Sequence, residues 1–111
     1  MPATILGTIG NTPLVKLSKS GSHRVEGMAT GRRPPMLTQD SYDEALAIDE
    51  TKAREMARLL AAKEGIFAGT SSGLNVCAAL EIGARLGPGF SVVTVAVDSG
   101  MKYLAGDLYK D

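Results

Sequence analysis

The sequence predicts an α/β fold, and three observations carry that prediction. Apolar residues at Ala53, Met56, Ala57 and Leu60 recur at helical spacing, directly after the short strand candidate Glu44–Ile48. A second helical stretch lies between the small-residue run Gly69–Gly73 and the stop Gly87-Pro88-Gly89. The almost unbroken β-branched run Ser91–Val97 then suits a strand covered on both faces, as in a parallel sheet. Strand, helix, short strand, helix, strand is the order of α/β folds.

Size and composition bound the rest. The 111 residues suit one small domain, and a chain near this length buries roughly two-thirds of its unfolded surface. Hydrophobic residues make up 44% and charged residues 22%, ordinary globular usage that argues against wholesale disorder. Twelve Lys and Arg balance twelve Asp and Glu, so no basic field points to nucleic acid or an anionic membrane. There is no Trp, and the scarce aromatics offer no base-stacking surface. No apolar run is long enough to span a bilayer, and no basic-then-apolar signal pattern opens the sequence. The lone cysteine, Cys77, excludes an internal disulfide and a multi-cysteine zinc site. A cytoplasmic protein without a metal is the expectation.

Taken in order, Leu14–Leu17 is a short strand candidate with Pro13 at its start, where a missing N–H does least harm. Ser18 to Asp43, rich in Gly, Ser, Pro and Arg, reads as a loop far longer than the usual connection of about 4–6 residues. After strand Glu44–Ile48, Asp49 is placed to cap a helix with its carboxylate, and Gly65 to end it. Ile66–Ala68 is a brief extended piece. The second helix is expected to bury Val76, Ala79, Leu80 and Gly83. After Ser91–Val97, Asp98-Ser99-Gly100 leads into a short helix near Met101–Leu104.

Two segments have the geometry of a ligand site, since open α/β sheets bind ligands beyond strand ends and near helix N-termini. The first is Gly69-Thr70-Ser71-Ser72-Gly73: glycines admit close approach, the helix start offers unpaired N–H groups, and the hydroxyls donate or accept. The competing reading makes Ser71 or Ser72 a plain helix cap. The second is Asp98-Ser99-Gly100, for which the competing reading is a strand-to-helix turn capped by Asp98. His23 lacks a positioned partner for general-base work and reads as surface or packing. Cys77, inside the second helix among Val76, Ala78 and Ala79, reads as a small core hydrophobe.

Several motifs occur together and in order: Ile9-Gly10-Asn11-Thr12-Pro13-Leu14-Val15, His23-Arg24-Val25-Glu26-Gly27, Glu64-Gly65-Ile66-Phe67-Ala68-Gly69-Thr70-Ser71-Ser72-Gly73, Val92 to Gly100, and Tyr103-Leu104. Together they resemble the pyridoxal-phosphate-dependent cysteine synthase and cystathionine β-synthase family. The resemblance implies a partial three-layer sheet remnant of the fold type II large domain, with the small domain missing. It divides the chain into an opening segment (1–17), a loop with a junction (18–43) and a C-terminal α/β portion (44–111). It implies cofactor contacts at Gly69, Thr70, Ser71 and Ser72, with Ser71 on the ring nitrogen, and further contacts at Asp98 and Ser99. A neutral hydroxyl on that nitrogen leaves the ring a weaker electron sink than a carboxylate would, which suits β-replacement.

The same resemblance shows what the sequence lacks. Nothing matches the family's Schiff-base lysine segment, its substrate-carboxylate loop or its phosphate-cradling Gly-Thr-Gly-Gly-Thr loop. The front motif passes into the back one between Ser18 and Ser22. The expectation is a cysteine-synthase relative with no catalytic residue of its own, inactive alone and binding pyridoxal phosphate weakly. It is expected to associate as a homo-oligomer, in the first place a dimer, or with a full-length family member. The alternatives are a non-catalytic interaction module and a half-enzyme that needs a complementing chain.

Overall fold

A computed structural model describes residues 15–19, 35, 36, 38, 40 and 42–110, the first five as backbone. The motif Ile9–Leu14 and the segment His23–Gly31 lie outside the described residues, as does most of the loop and its junction. Strand β1 runs Val15–Lys19, reaching Ser18 and Lys19, which the sequence reading assigned to the loop. Strand β2 (Glu44–Ile48) lies parallel to it, with Val15 opposite Glu44 and Lys19 opposite Ile48.

Helix α1 (Glu50–Leu59) starts where the sequence placed it: the Asp49 carboxylate accepts the Thr51 N–H at 3.0 Å. Its Ala53 and Ala57 are fully buried. A π-helical turn, Leu60–Glu64, widens its end, and the Gly65 and Ile66 amides both donate to the Leu60 carbonyl. Gly65 closes it with φ 67°, a left-handed conformation that a side chain would strain. Helix α2 (Thr70–Leu86) packs across α1. The crossing is close because Gly73 lacks a side chain: a Cβ there would overlap the Ala53 carbonyl and lie 2.9 Å from the Ala57 nitrogen. The core comprises Leu46 and Ile48 of β2, Ala53 of α1, and Leu74 and Ala78 of α2, with Cys77 and Ile82 packed against it.

Two expectations fail here. The buried stripe of α2 is Thr70, Gly73, Leu74 and Ala78, whereas Leu80, from the expected stripe, is 57% exposed. Both faces of α2 are apolar, and α1 covers only one of them. Ser91–Val97 forms no strand, and Val93 is 91% exposed. A parallel strand needs a hydrogen-bonding neighbour, and the described residues supply none beside this run. Two side chains of α2 hold it instead: Ser72 Oγ accepts the Val97 N–H at 2.8 Å, and Asn75 Nδ2 donates to the Val95 carbonyl at 2.9 Å.

The chain ends in a 3₁₀ turn (Gly100–Tyr103) and a strap along α1. Arg54 pairs with Asp107 at 2.8 Å, Arg58 Nε donates to the Leu108 carbonyl at 2.6 Å, and Leu108 is buried. The Tyr109 ring lies against Phe67 with centroids 4.7 Å apart. No periodicity in the sequence announces this strap.

Candidate functional site

The two candidate segments meet at the start of α2. Gly69 is the residue before the helix; its backbone is extended and no side chain caps the turn. Ser71 and Ser72 therefore lie inside the first turn and neither is its cap. Ala68 pairs with Ser99 in a single antiparallel bridge. The Gly69 N–H donates to the Asp98 carbonyl at 3.3 Å, and the Gly100 N–H donates to the Phe67 carbonyl at 3.0 Å. Residues about thirty positions apart in the chain are thus joined backbone to backbone, a juxtaposition that needs the fold of α2 and not its sequence alone.

The six candidate residues do different things. Ser72 is fully buried, and its hydroxyl already receives the Val97 N–H. Ser99 caps the 3₁₀ turn, its hydroxyl accepting the Met101 N–H at 3.2 Å, so the cap expected of Asp98 falls to its neighbour. The Asp98 carboxylate turns the other way. Its Oδ2 accepts the Tyr103 hydroxyl at 2.8 Å and faces Lys102 Nζ at 3.9 Å. Its Oδ1 is buried and meets no hydrogen-bond partner among the described residues. Gly69 lies against this pair: a Cβ there would come within 2.7 Å of Asp98 Oδ1 and overlap the Tyr103 ring. Thr70 is buried and Ser71 half-buried, and among the described residues neither hydroxyl is engaged. Their amides are first-turn donors that an α-helix leaves unpaired. The start of α2 therefore offers neutral donors beside a carboxylate, an arrangement able to hold a polar, uncharged ring edge.

Sequence reasoning named the two segments but not the side chains that fasten them. Tyr103 stood in view as part of a motif. Phe67 likewise lay in a motif, and no local pattern marked Tyr109 or Asn75 as a fastener, since each acts through a contact distant in sequence. Cys77 is half-buried against the core rather than inside it: partial burial pushes its thiol above the ordinary cysteine value, against the smaller opposing pull of Lys52, and its sulfur lies 3.5 Å from the Lys52 carbonyl. The concavity it lines with Lys52, Glu55, Met56 and Leu59 contains none of the six residues. Among the described residues, no group of His, Cys, Asp and Glu could hold a metal ion, and no helix is long and apolar enough to cross a membrane.

Comparison with known proteins follows the same lines. The family profile described as "Pyridoxal-phosphate dependent enzyme" matches residues 10–98. A probable cysteine synthase of Bacillus subtilis (strain 168) is 41% identical over 98 residues, covering 88% of this chain and 32% of that protein. The crystal structure of O-acetyl serine sulfhydrylase isoform 3 from Entamoeba histolytica superposes with a TM-score of 0.82 at 27% identity, covering 89% of this chain and 33% of the other. That of O-acetylserine dependent cystathionine beta-synthase from Helicobacter pylori gives 0.80 at 28% identity, covering 87% and 35%. The chain spans about a third of the length of the curated relatives it matches.

Proposed function

The chain belongs to the pyridoxal-phosphate-dependent enzymes and is similar to their cysteine synthase and cystathionine β-synthase members, and from that premise we propose that it carries the ring end of a cysteine-synthase cofactor site without the means to turn over alone. The reading is a partial large domain of fold type II, whose full-length reaction is the β-replacement of an activated serine by sulfide. One observation carries it: the Gly69–Ser72 turn and the Asp98–Ser99 turn are fastened together at the helix start where the Thr70 and Ser71 amides are first-turn donors.

The donor set fits the ring of pyridoxal phosphate better than its phosphate. Ser71 supplies a neutral donor to the ring nitrogen, and the Thr70 and Ser71 amides support the polar edge. The Asp98 carboxylate repels a phosphate, and Lys102, the nearby cation, faces that carboxylate. Gly69 and Thr70 shape the approach, while Ser72 and Ser99 hold the surrounding backbone. When bound, the cofactor supplies an electron sink for the substrate's α-carbon. The sequence contains no match to the lysine that anchors it or to the phosphate loop, so affinity is weak and no base is placed for the α-proton.

Titration with pyridoxal phosphate, followed by borohydride reduction and peptide mapping, tests this reading. Weak binding that Ser71→Ala reduces further, with no single stoichiometrically labelled lysine and no cysteine formed from O-acetylserine and sulfide, is expected. Stoichiometric labelling of one lysine, or turnover at the rate of an intact relative, would overturn it.

The exposed Ser91–Val97 run favours a second reading, in which the chain works through a partner: a second copy, a full-length family member, or a complementing chain bearing the missing motifs. Recovery of cysteine-forming activity on co-expression with a fragment carrying the lysine segment would select the complementing chain.

A further inference from the structure

We infer that Tyr109 is a positioning residue for the cofactor turn: its hydroxyl, brought in by the C-terminal strap, pins the Ala68–Gly69 peptide and so sets the geometry at which α2 begins. The inference rests on the reading of Gly69–Ser72 as the ring end of the site. Its physical basis is one peptide plane held from both sides. The carbonyl of that plane, on Ala68, receives the Tyr109 hydroxyl. The N–H of the same plane, on Gly69, donates to the Asp98 carbonyl at 3.3 Å. Glycine places little steric restriction on its own φ and ψ, so a peptide entering it flips easily unless hydrogen bonds prevent it. A flip would break the Gly69–Asp98 bond that fastens the two turns, and an unpinned plane lets Gly69, the residue that opens α2, drift in φ.

Tyr109 is itself well anchored. Its ring packs on Phe67, whose own ring lies 2.5 Å from where a Gly100 Cβ would be, so the strap, the 3₁₀ turn and the peptide before α2 meet in one cluster. On the α1 side its hydroxyl lies 3.4 Å from the Ala57 carbonyl. The charged groups around it are Arg58, which holds the Leu108 carbonyl, and the Arg54–Asp107 pair. Burial pushes the phenol above the ordinary tyrosine value of 10.0, against the smaller lowering effects of its backbone hydrogen bond at Ala68 and of the Arg58 charge. The phenol therefore remains a donor throughout the neutral range, and the pin is lost only as the pH rises through that elevated value.

The test uses the full chain and Tyr109→Phe, which keeps the ring and removes the donor. Backbone exchange of the Gly69, Ser72 and Gly73 amides, which are hydrogen-bonded at this turn, is expected to quicken roughly five-fold, the worth of one neutral hydrogen bond, while the Ala84 and Arg85 amides stay unchanged. Pyridoxal phosphate affinity is expected to fall by a similar factor. In the unaltered chain, the Ala68 carbonyl ¹³C shift should titrate together with the Tyr109 phenol at a pH above 10.0. This second measurement decides the matter if the variant fails to fold. Unchanged exchange in a folded Tyr109→Phe chain, or an Ala68 carbonyl that ignores the phenol, overturns the inference. If the unaltered chain does not bind pyridoxal phosphate, the reading of the site falls, while exchange and titration still judge the pin.

Discussion

Gly73 illustrates how one residue is read two ways. In the sequence it closes a small-residue turn and suggests room for a ligand. In the fold its missing side chain makes room for α1, with the Ala53 carbonyl where a Cβ would stand. Backbone cannot retreat as a flexible side chain does, so Gly73→Ala is expected to cost about 1–3 kcal/mol, the range of overpacked cores. A fall in the urea midpoint at unchanged slope would show it. Cys77 allows a prediction of the opposite kind. Its raised thiol pKa leaves little thiolate near neutrality, so labelling by a disulfide reagent at pH 7.5 should be slower than that of free cysteine and accelerate on unfolding. Equal rates in the folded and unfolded chain would refute its burial.

At the scale of elements, α1 was legible almost in full. Its cap Asp49, its apolar face and its stop Gly65 are local features, and local features survive into any fold. Helix α2 was legible as a helix but not in its orientation. Val76, Ala79 and Leu80 make as good a stripe as Leu74 and Ala78, and only the placement of α1 chooses between them. The Ser91–Val97 run was misread for a related reason: β-branched residues report a preference for extended backbone, and a strand also needs a partner. Ser72 links the run to α2. Ser72→Ala leaves the Val97 N–H without its acceptor and should destabilise the chain by about 1–3 kcal/mol, the cost of a buried donor unmade. Faster amide exchange should appear first at Val97. Protection at Val97 that survives the substitution would contradict this.

For the whole molecule, the balance of burial matters most. Leu80, Leu86, Phe90, Val93, Val95 and Val97 are all exposed at once, and exposed apolar side chains favour association when they gather on one face. Association through this surface is expected, with sedimentation velocity reporting species above the monomer at micromolar concentration. Val93→Lys, at a position 91% exposed, should shift the chain toward monomer with little change in folding. An unaltered chain that sediments as a monomer throughout would remove the reading of a partnered surface.

The sequence by itself determined the family, the strand Glu44–Ile48 and the two helices after it, the start and stop of α1 and the two segments of the candidate site. Each of these depends on neighbouring residues or on motifs that persist whatever surrounds them. The tertiary structure alone decided that the two segments touch, that the Ser72 and Ser99 hydroxyls are engaged by backbone, and that the C-terminal strap reaches the Ala68–Gly69 peptide. Contacts between residues thirty or forty positions apart follow from how α1 and α2 cross, and no local pattern encodes that crossing.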